Sequence, residues 1–368
     1  MSTLLVGTRK GLFVLDTDGA DRAATALAGP HFPAVPVSAV LADPRDGAWY
    51  AALDHGHFGT KLHRSDDRGA TWTELPAPEY PADAGPVPNS RVDPTAPASL
   101  KMVWCLEAAH AAQPGTIFAG TVPGGLFRSD DRGATWALVR SMWDHPDRPK
   151  GNGGGYDEPG IHSISVDPRG PGRYAVGSSC NGVWVTDDDG ATWTLGTGMW
   201  FGFMPEHLDD DPAGQDPHRV VRCQAAPDVM WTQHHCGIWR SDDTGLTWRN
   251  IADVAPSSFG FALAVHPTDP ATAWFAPAHS DLQRIPVDGK VVVTRTRDGG
   301  ATFDQLTDGL PQQDAYHLIY RHGMDVDGTG SLLAMASTTG SLWLGHDGGE
   351  RWERVSAELP PVLCVRWT

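Results

Sequence analysis

The sequence predicts an all-β chain folded as a seven-bladed β-propeller. Three observations carry this: an octapeptide that recurs six times, a four-strand pattern around each copy, and a spare strand at the C-terminal end. Composition agrees. The 42 Gly and 30 Pro, about a fifth of 368 residues, suit tight turns, and 15 Trp suit aromatic-rich strands. Forty per cent hydrophobic residues can fill a sizeable core.

The octapeptide is SDDRGATW at 65–72 and again at 129–136. It returns as TDDDGATW at 186–193, SDDTGLTW at 241–248, TRDGGATF at 296–303 and, more worn, GHDGGERW at 345–352. Its central carboxylates are Asp67, Asp131, Asp188, Asp243, Asp298 and Asp347, spaced 64, 57, 55, 55 and 49 residues apart. The local reading is a hairpin turn. A short Asp carboxylate accepts backbone N–H groups, the Gly two residues on supplies a positive φ, and Thr-Trp opens the next strand with a large side chain to bury.

The flanks supply the other strands. A short hydrophobic strand precedes each turn, as at 125–128 and 182–185. Another precedes that, as at 116–120 and 174–177. An apolar strand comes first, as at 162–168 and 261–267. Four strands in roughly 55 residues make one propeller blade. Blades 2 to 7 carry the six octapeptides. Blade 1 has strands at 4–8 and 11–16, an unclear fourth strand, and no inner strand of its own. The segment 361–367 is expected to supply that inner strand and close the ring, leaving no open sheet edge. Residues 1–368 are read as one propeller domain.

On these residues the chain resembles the Asp-box, or BNR-repeat, propellers of the sialidase-like superfamily. That group includes sialidases, sortilin-type receptors, xyloglucan-degrading glycosidases and a photosystem-assembly factor. The resemblance implies fold more than function, because the box is a turn shared by several functional classes. A sialidase would use three arginines for the substrate carboxylate, a Tyr nucleophile supported by Glu, and an Asp acid–base. Here Arg9, Arg222 and Arg321, with Tyr316 or Tyr320, stand nearest those roles. The family's FRIP-like motif is missing; Arg284-Ile285-Pro286 lies in blade 6 without the preceding Phe. The chain is therefore not read as a typical sialidase.

A net charge of −17 argues against nucleic acid and acidic membrane surfaces as partners. No apolar run approaches a membrane span, and residues 1–19 lack the basic-then-apolar pattern of a secretory leader. Cys105, Cys180, Cys223, Cys236 and Cys364 are odd in number and form no CxxC pair, so free thiols in the cytoplasm are expected.

The octapeptides all join third to fourth strands and share one face. The loops between second and third strands, and those between blades, share the other, which we call the upper face. Functional groups sit on loops held by a rigid scaffold, so the upper face is the expected site. It collects His55, His57, His162, His234, His235, His279 and His317, besides Arg9, Asn181 and Asp281. The starts of inner strands are read as adding Trp104, Glu107, Arg222, Tyr316 and Arg321. Imidazole is both the commonest ligand for zinc, copper and iron and the natural base near neutral pH. His55, His57, His162, His235 and His279 are therefore metal-ligand candidates, for a divalent zinc, copper or iron ion. His162, His235, Glu107 and His317 are candidate catalytic groups. Arg9, Arg222, Arg321, Tyr316, Trp104 and Asn181 are candidate substrate contacts, with Arg9 as anion holder. His234 and His235 are adjacent and point to opposite sides, so at most one faces the channel.

Two long loops, 141–160 and 198–217, are expected to fold over the channel mouth as lids. The reading that follows is a cytosolic hydrolase or lyase acting on a small molecule. One alternative is a non-catalytic module that binds a protein partner through Trp200, Phe201 and Phe203. The other is a glycoside hydrolase, which needs two carboxylates about 5 to 10 Å apart. Asp54, Glu107, Asp157, Glu158, Asp281 and Asp314 are available, and nothing selects a pair among them.

Overall fold

The computed structural model describes residues 3–17, 27–88, 90–151, 153–154, 156–202 and 209–368. Asn152 and Gly155 of the first expected lid, and Phe203, Glu206 and His207 of the second, lie outside them. The described residues form 28 strands, β1 to β28, in seven four-stranded antiparallel sheets. Blade 1 is built from β28 (Val362–Trp367), β1 (Thr3–Thr8), β2 (Gly11–Asp16) and β3 (Leu27–His31), in that order. The C-terminal strand is therefore its inner strand and closes the ring. The other inner strands are β4 (Val37–Ala42), β8 (Met102–Ala108), β12 (Gly160–Val166), β16 (Pro217–Arg222), β20 (Gly260–Val265) and β24 (Met324–Val326). Among the described residues no helix is long and apolar enough to cross a membrane.

The octapeptides form the turns their residues call for. Asp67 Oδ1 accepts from Ser65 Oγ at 2.8 Å and Thr71 N at 2.8 Å, while Thr71 Oγ1 donates to Oδ2 at 2.6 Å. Ser65 Oγ also accepts from Gly69 N at 2.7 Å. Asp131, Asp188, Asp243 and Asp298 repeat this set. Two residues, not one, are left-handed: Arg68 has φ +56° and Gly69 φ +87°. Those hydrogen bonds hold the carboxyls of Asp67, Asp188 and Asp298 down to about 2.

The inner strands share a second device. In five sheets the register with the second strand skips one residue near the upper end of the inner strand: Ser38, Trp104, His162, His218 and Phe261. A bulge of this kind re-aims a side chain out of the sheet alternation. These five buried side chains form a collar around the upper end of the channel. The polar ones stitch blade to blade. Ser38 Oγ donates to the Val103 carbonyl at 2.8 Å, His162 Nε2 lies 2.7 Å from the Pro217 carbonyl, and His218 Nδ1 lies 2.7 Å from the Gly260 carbonyl. Each target carbonyl belongs to the residue before the next blade's bulge. Close approach here needs small residues: a Cβ on Gly177 would sit 2.7 Å from Val220 Cγ2.

Candidate functional site

The collar marks the upper limit of the central channel. Below it, toward the octapeptide face, lies a cavity of about 580 Å³ lined by Glu107, Arg219, Asp325 and Arg366. Glu107 is held by Arg366 in two hydrogen bonds of 2.9 and 3.0 Å. Inner strands run from the upper face downward, and residues 107 and 222 come near the ends of theirs. Five residues of strand span roughly 17 Å, so Glu107 and Arg222 sit at the opposite end from the upper loops. Arg222 is buried there against Asp167 and the Pro227 carbonyl. The sequence reading placed both on the upper face; the structure moves both away. Arg9, Arg222 and Arg321 therefore do not converge as a carboxylate-binding trio.

Above the collar the chemistry gathers on blades 5 and 6. Asp216 is buried immediately before β16. Its Oδ1 accepts from Ser179 Oγ at 3.0 Å and Cys180 N at 2.9 Å. Its Oδ2 lies 3.5 Å from His218 Nε2 and 3.3 Å from His235 Nδ1. His235 Nε2 in turn faces Asp281 Oδ2 at 3.8 Å, and Asp281 is paired with Arg284. Among the described residues, Asp216, His218 and His235 are the one group of three His, Cys or carboxylate ligand atoms all within 4.8 Å of one another. Burial opposes ionisation of Asp216, but its contacts with the two histidines and the charge of Arg321 hold its carboxyl well below the usual range. Burial lowers His218 despite the opposing pull of Asp216. Burial, reinforced by Asp216, raises the Cys180 thiol.

Arg321 stands beside this group. It is 8% exposed, with its guanidinium 4.9 Å from the Trp104 ring and 5.3 Å from the Phe261 ring. Its Nε is buried without a hydrogen-bond partner among the described residues. Such a group is costly to bury alone and is suited to receive an anion. Arg9 is exposed on the rim; burial raises the Tyr156 phenol nearby, opposed by the charges of Arg321 and Arg9.

The remaining residues singled out in the sequence have other neighbours. His162 is fully buried, with Nδ1 on Ser163 Oγ at 2.9 Å and Nε2 on the Pro217 carbonyl; both nitrogens are engaged, and burial lowers it far below the usual imidazole range. It is a blade stitch, neither base nor metal ligand. Asn181 is buried and donates to the carbonyls of Arg148 and Ala213, joining the two long loops. His317 packs on Trp343 and bonds Thr339 Oγ1 at 2.5 Å. Tyr316 is 63% exposed. His55, half-buried, and His57, exposed, flank Phe58, and His279 is exposed beside Ser280. The structure does not gather His55, His57, His162 or His279 with His235. His234 points inward, its Nε2 accepting from Asp216 N at 3.1 Å. Glu158 is buried and paired with Lys101.

In the second long loop the described residues Trp200 and Phe201 differ in exposure. Phe201 is buried, 5.1 Å from His234 and 5.7 Å from His235, while Trp200 is 41% exposed and edge-on to Trp239. Phe201 therefore covers the cluster and is not an exposed anchor. Sequence reading missed Asp216 and His218. Aligning the inner strands would have shown them: His218 occupies the place of His162 one blade earlier.

No family model matches the chain. Among curated proteins it is 27% identical over 300 residues to a xyloglucanase of Hypocrea jecorina, covering 73% of this chain and 32% of that protein. It is 24% identical over 330 residues to the oligoxyloglucan-reducing end-specific xyloglucanase of Emericella nidulans, covering 81% and 31%. The chain spans about a third of the length of such relatives. Among solved structures it resembles the GH74 enzyme of Niastella koreensis (TM-score 0.62, 16% identity, 95% of this chain and 51% of that one). It also resembles YCF48 of Cyanidioschyzon merolae (TM-score 0.56, 13% identity, 88% and 87%) and YCF48 bound to D1 peptide (TM-score 0.51, 16% identity, 94% and 87%). At these identities the structural likeness is one of fold.

Proposed function

We propose that the chain is a hydrolase whose reaction centre is the upper-face mouth, acting on a small molecule that carries an anionic group. One observation carries the reading: a buried guanidinium flanked by two aromatic rings, Arg321, stands beside a histidine bracketed by two carboxylates, His235 between Asp216 and Asp281. Arg321 holds the anionic group. Water is activated at Asp216, His218 and His235, and Phe201 limits solvent access. Similarity to xyloglucanases supports hydrolysis in general. The six octapeptide turns support placing the chain with the Asp-box propellers. Five cysteines without disulfides suit a reducing, cytoplasmic setting.

A panel of chromogenic esters, phosphoesters and glycosides tests this. Release from an anionic member, lost in His235→Ala and weakened in Arg321→Leu while folding persists, is the expected result. Turnover unchanged in both variants contradicts it. The xyloglucanase relatives favour a second reading, glycoside hydrolysis, which predicts release from neutral glycosides that does not depend on Arg321. A protein-binding role, as in the YCF48 complex with a peptide, would instead show a captured partner and no turnover.

A further inference from the structure

The arrangement of Asp216, His218 and His235 sets an imidazole lone pair against a carboxylate. His218 Nδ1 lies 2.7 Å from the Gly260 carbonyl, an acceptor only, so Nδ1 carries the hydrogen. Its other nitrogen, Nε2, then faces Asp216 Oδ2 across 3.5 Å. A carboxylate oxygen and an imidazole lone pair that face each other repel, and a cation between them, either a proton or a metal ion, relieves this. A proton is a poor answer. It would have to bridge 3.5 Å between Nε2 and Oδ2, at the outer limit of a hydrogen bond.

A metal ion suits the distances better. Two ligands about 2.1 Å from an ion, at about 105°, are roughly 3.3 Å apart. The observed spacings from Asp216 Oδ2 are 3.3 Å to His235 Nδ1 and 3.5 Å to His218 Nε2. We propose that Asp216 Oδ2, His218 Nε2 and His235 Nδ1 bind one divalent transition-metal ion, zinc by preference. Two imidazoles and one carboxylate form an open catalytic zinc set, with a position left for water.

The surroundings fit a metal site as well as the ligands do. A ligating histidine usually gives its second ring nitrogen to a carbonyl or carboxylate, which fixes its tautomer and orientation. His218 faces the Gly260 carbonyl and His235 faces Asp281. The spare oxygen of Asp216 is bonded by Ser179 and Cys180. His235 and Asp281 are partly exposed, which gives an entry path.

This inference rests on the reaction centre proposed above, so its test uses no substrate. Full-length protein is stripped with chelator, incubated with zinc, desalted and analysed for bound metal; cobalt is added in parallel and its visible absorption recorded. Wild type and His279→Ala should hold one ion per chain, show cobalt bands and melt at a higher temperature with zinc. His235→Ala, at a partly exposed position, should do none of these. Asp281→Asn should bind about 10- to 100-fold more weakly. Wild type that takes up no zinc, cobalt or iron(II), or His235→Ala and Asp216→Asn that keep a full equivalent, overturns the inference. Ion binding without hydrolysis would sink the proposed function and spare this site. Hydrolysis unaffected by chelator would do the reverse.

Discussion

Blades 4 and 5 place a histidine at the same bulge of the same inner strand, yet the two differ in what they have left to offer. His162 has both ring nitrogens engaged, by Ser163 and by the Pro217 carbonyl. His218 makes the equivalent stitch to the Gly260 carbonyl through Nδ1, and its Nε2 turns to Asp216. The difference comes from the residue two positions earlier: Gly160 in blade 4, Asp216 in blade 5. The propeller repeats a structural device, and one carboxylate at one copy converts it into a site.

That contrast can be broken most sharply by truncating each histidine. His218→Ala should abolish hydrolysis and ion binding. His162→Ala should keep both, while losing about 2–4 kcal/mol of stability in denaturant unfolding, from the cavity and the orphaned Pro217 carbonyl. If the two variants behave alike, the distinction fails.

Arg321→Leu should weaken an anionic substrate roughly 10- to 100-fold, read as a raised KM with the metal count unchanged. A smaller effect should come from the octapeptide face. Asp243→Ala removes three hydrogen bonds from one turn and should cost about 1 kcal/mol in denaturant unfolding, with hydrolysis intact.

The same turns set an acid limit. Asp67, Asp188 and Asp298 titrate at about 2 when folded, against about 4 when unfolded. Their contribution is therefore complete above about pH 4 and lost as pH falls through about 2. Melting temperature should drop over that window, and less steeply when the three are changed to Asn. Least of all, Glu107→Gln should leave hydrolysis and ion binding unchanged, because Glu107 lies below the collar; any loss of turnover would show the lower cavity to be the working one.

The fold was legible because its signal is local. Asp, Gly and Thr-Trp within eight residues dictate a turn, six copies count the blades, and the unpaired segment near Cys364 has only blade 1 to complete. The site was harder to read. Whether an inner-strand residue lies at the upper or lower end depends on the strand's exact start, and Glu107 and Arg222 were assigned to the wrong end by that margin. His162 attracted attention as a lone histidine at a strand start, but its bonding depends on the neighbouring blade, which no local pattern reveals. Asp216 and His218 flank Pro217 and look like a loop-to-strand junction until the bulges are aligned. His235 comes from a different strand and joins them only through the β16 to β17 (Met230–His234) pairing.

The most direct test is an anomalous-difference map recorded at the zinc edge from crystals soaked in zinc. A single strong peak bounded by Asp216 Oδ2, His218 Nε2 and His235 Nδ1, beneath Phe201 and beside Arg321, is the predicted result. No peak there, or a peak at His55 and His57 with the blade 5 cluster bare, would contradict it.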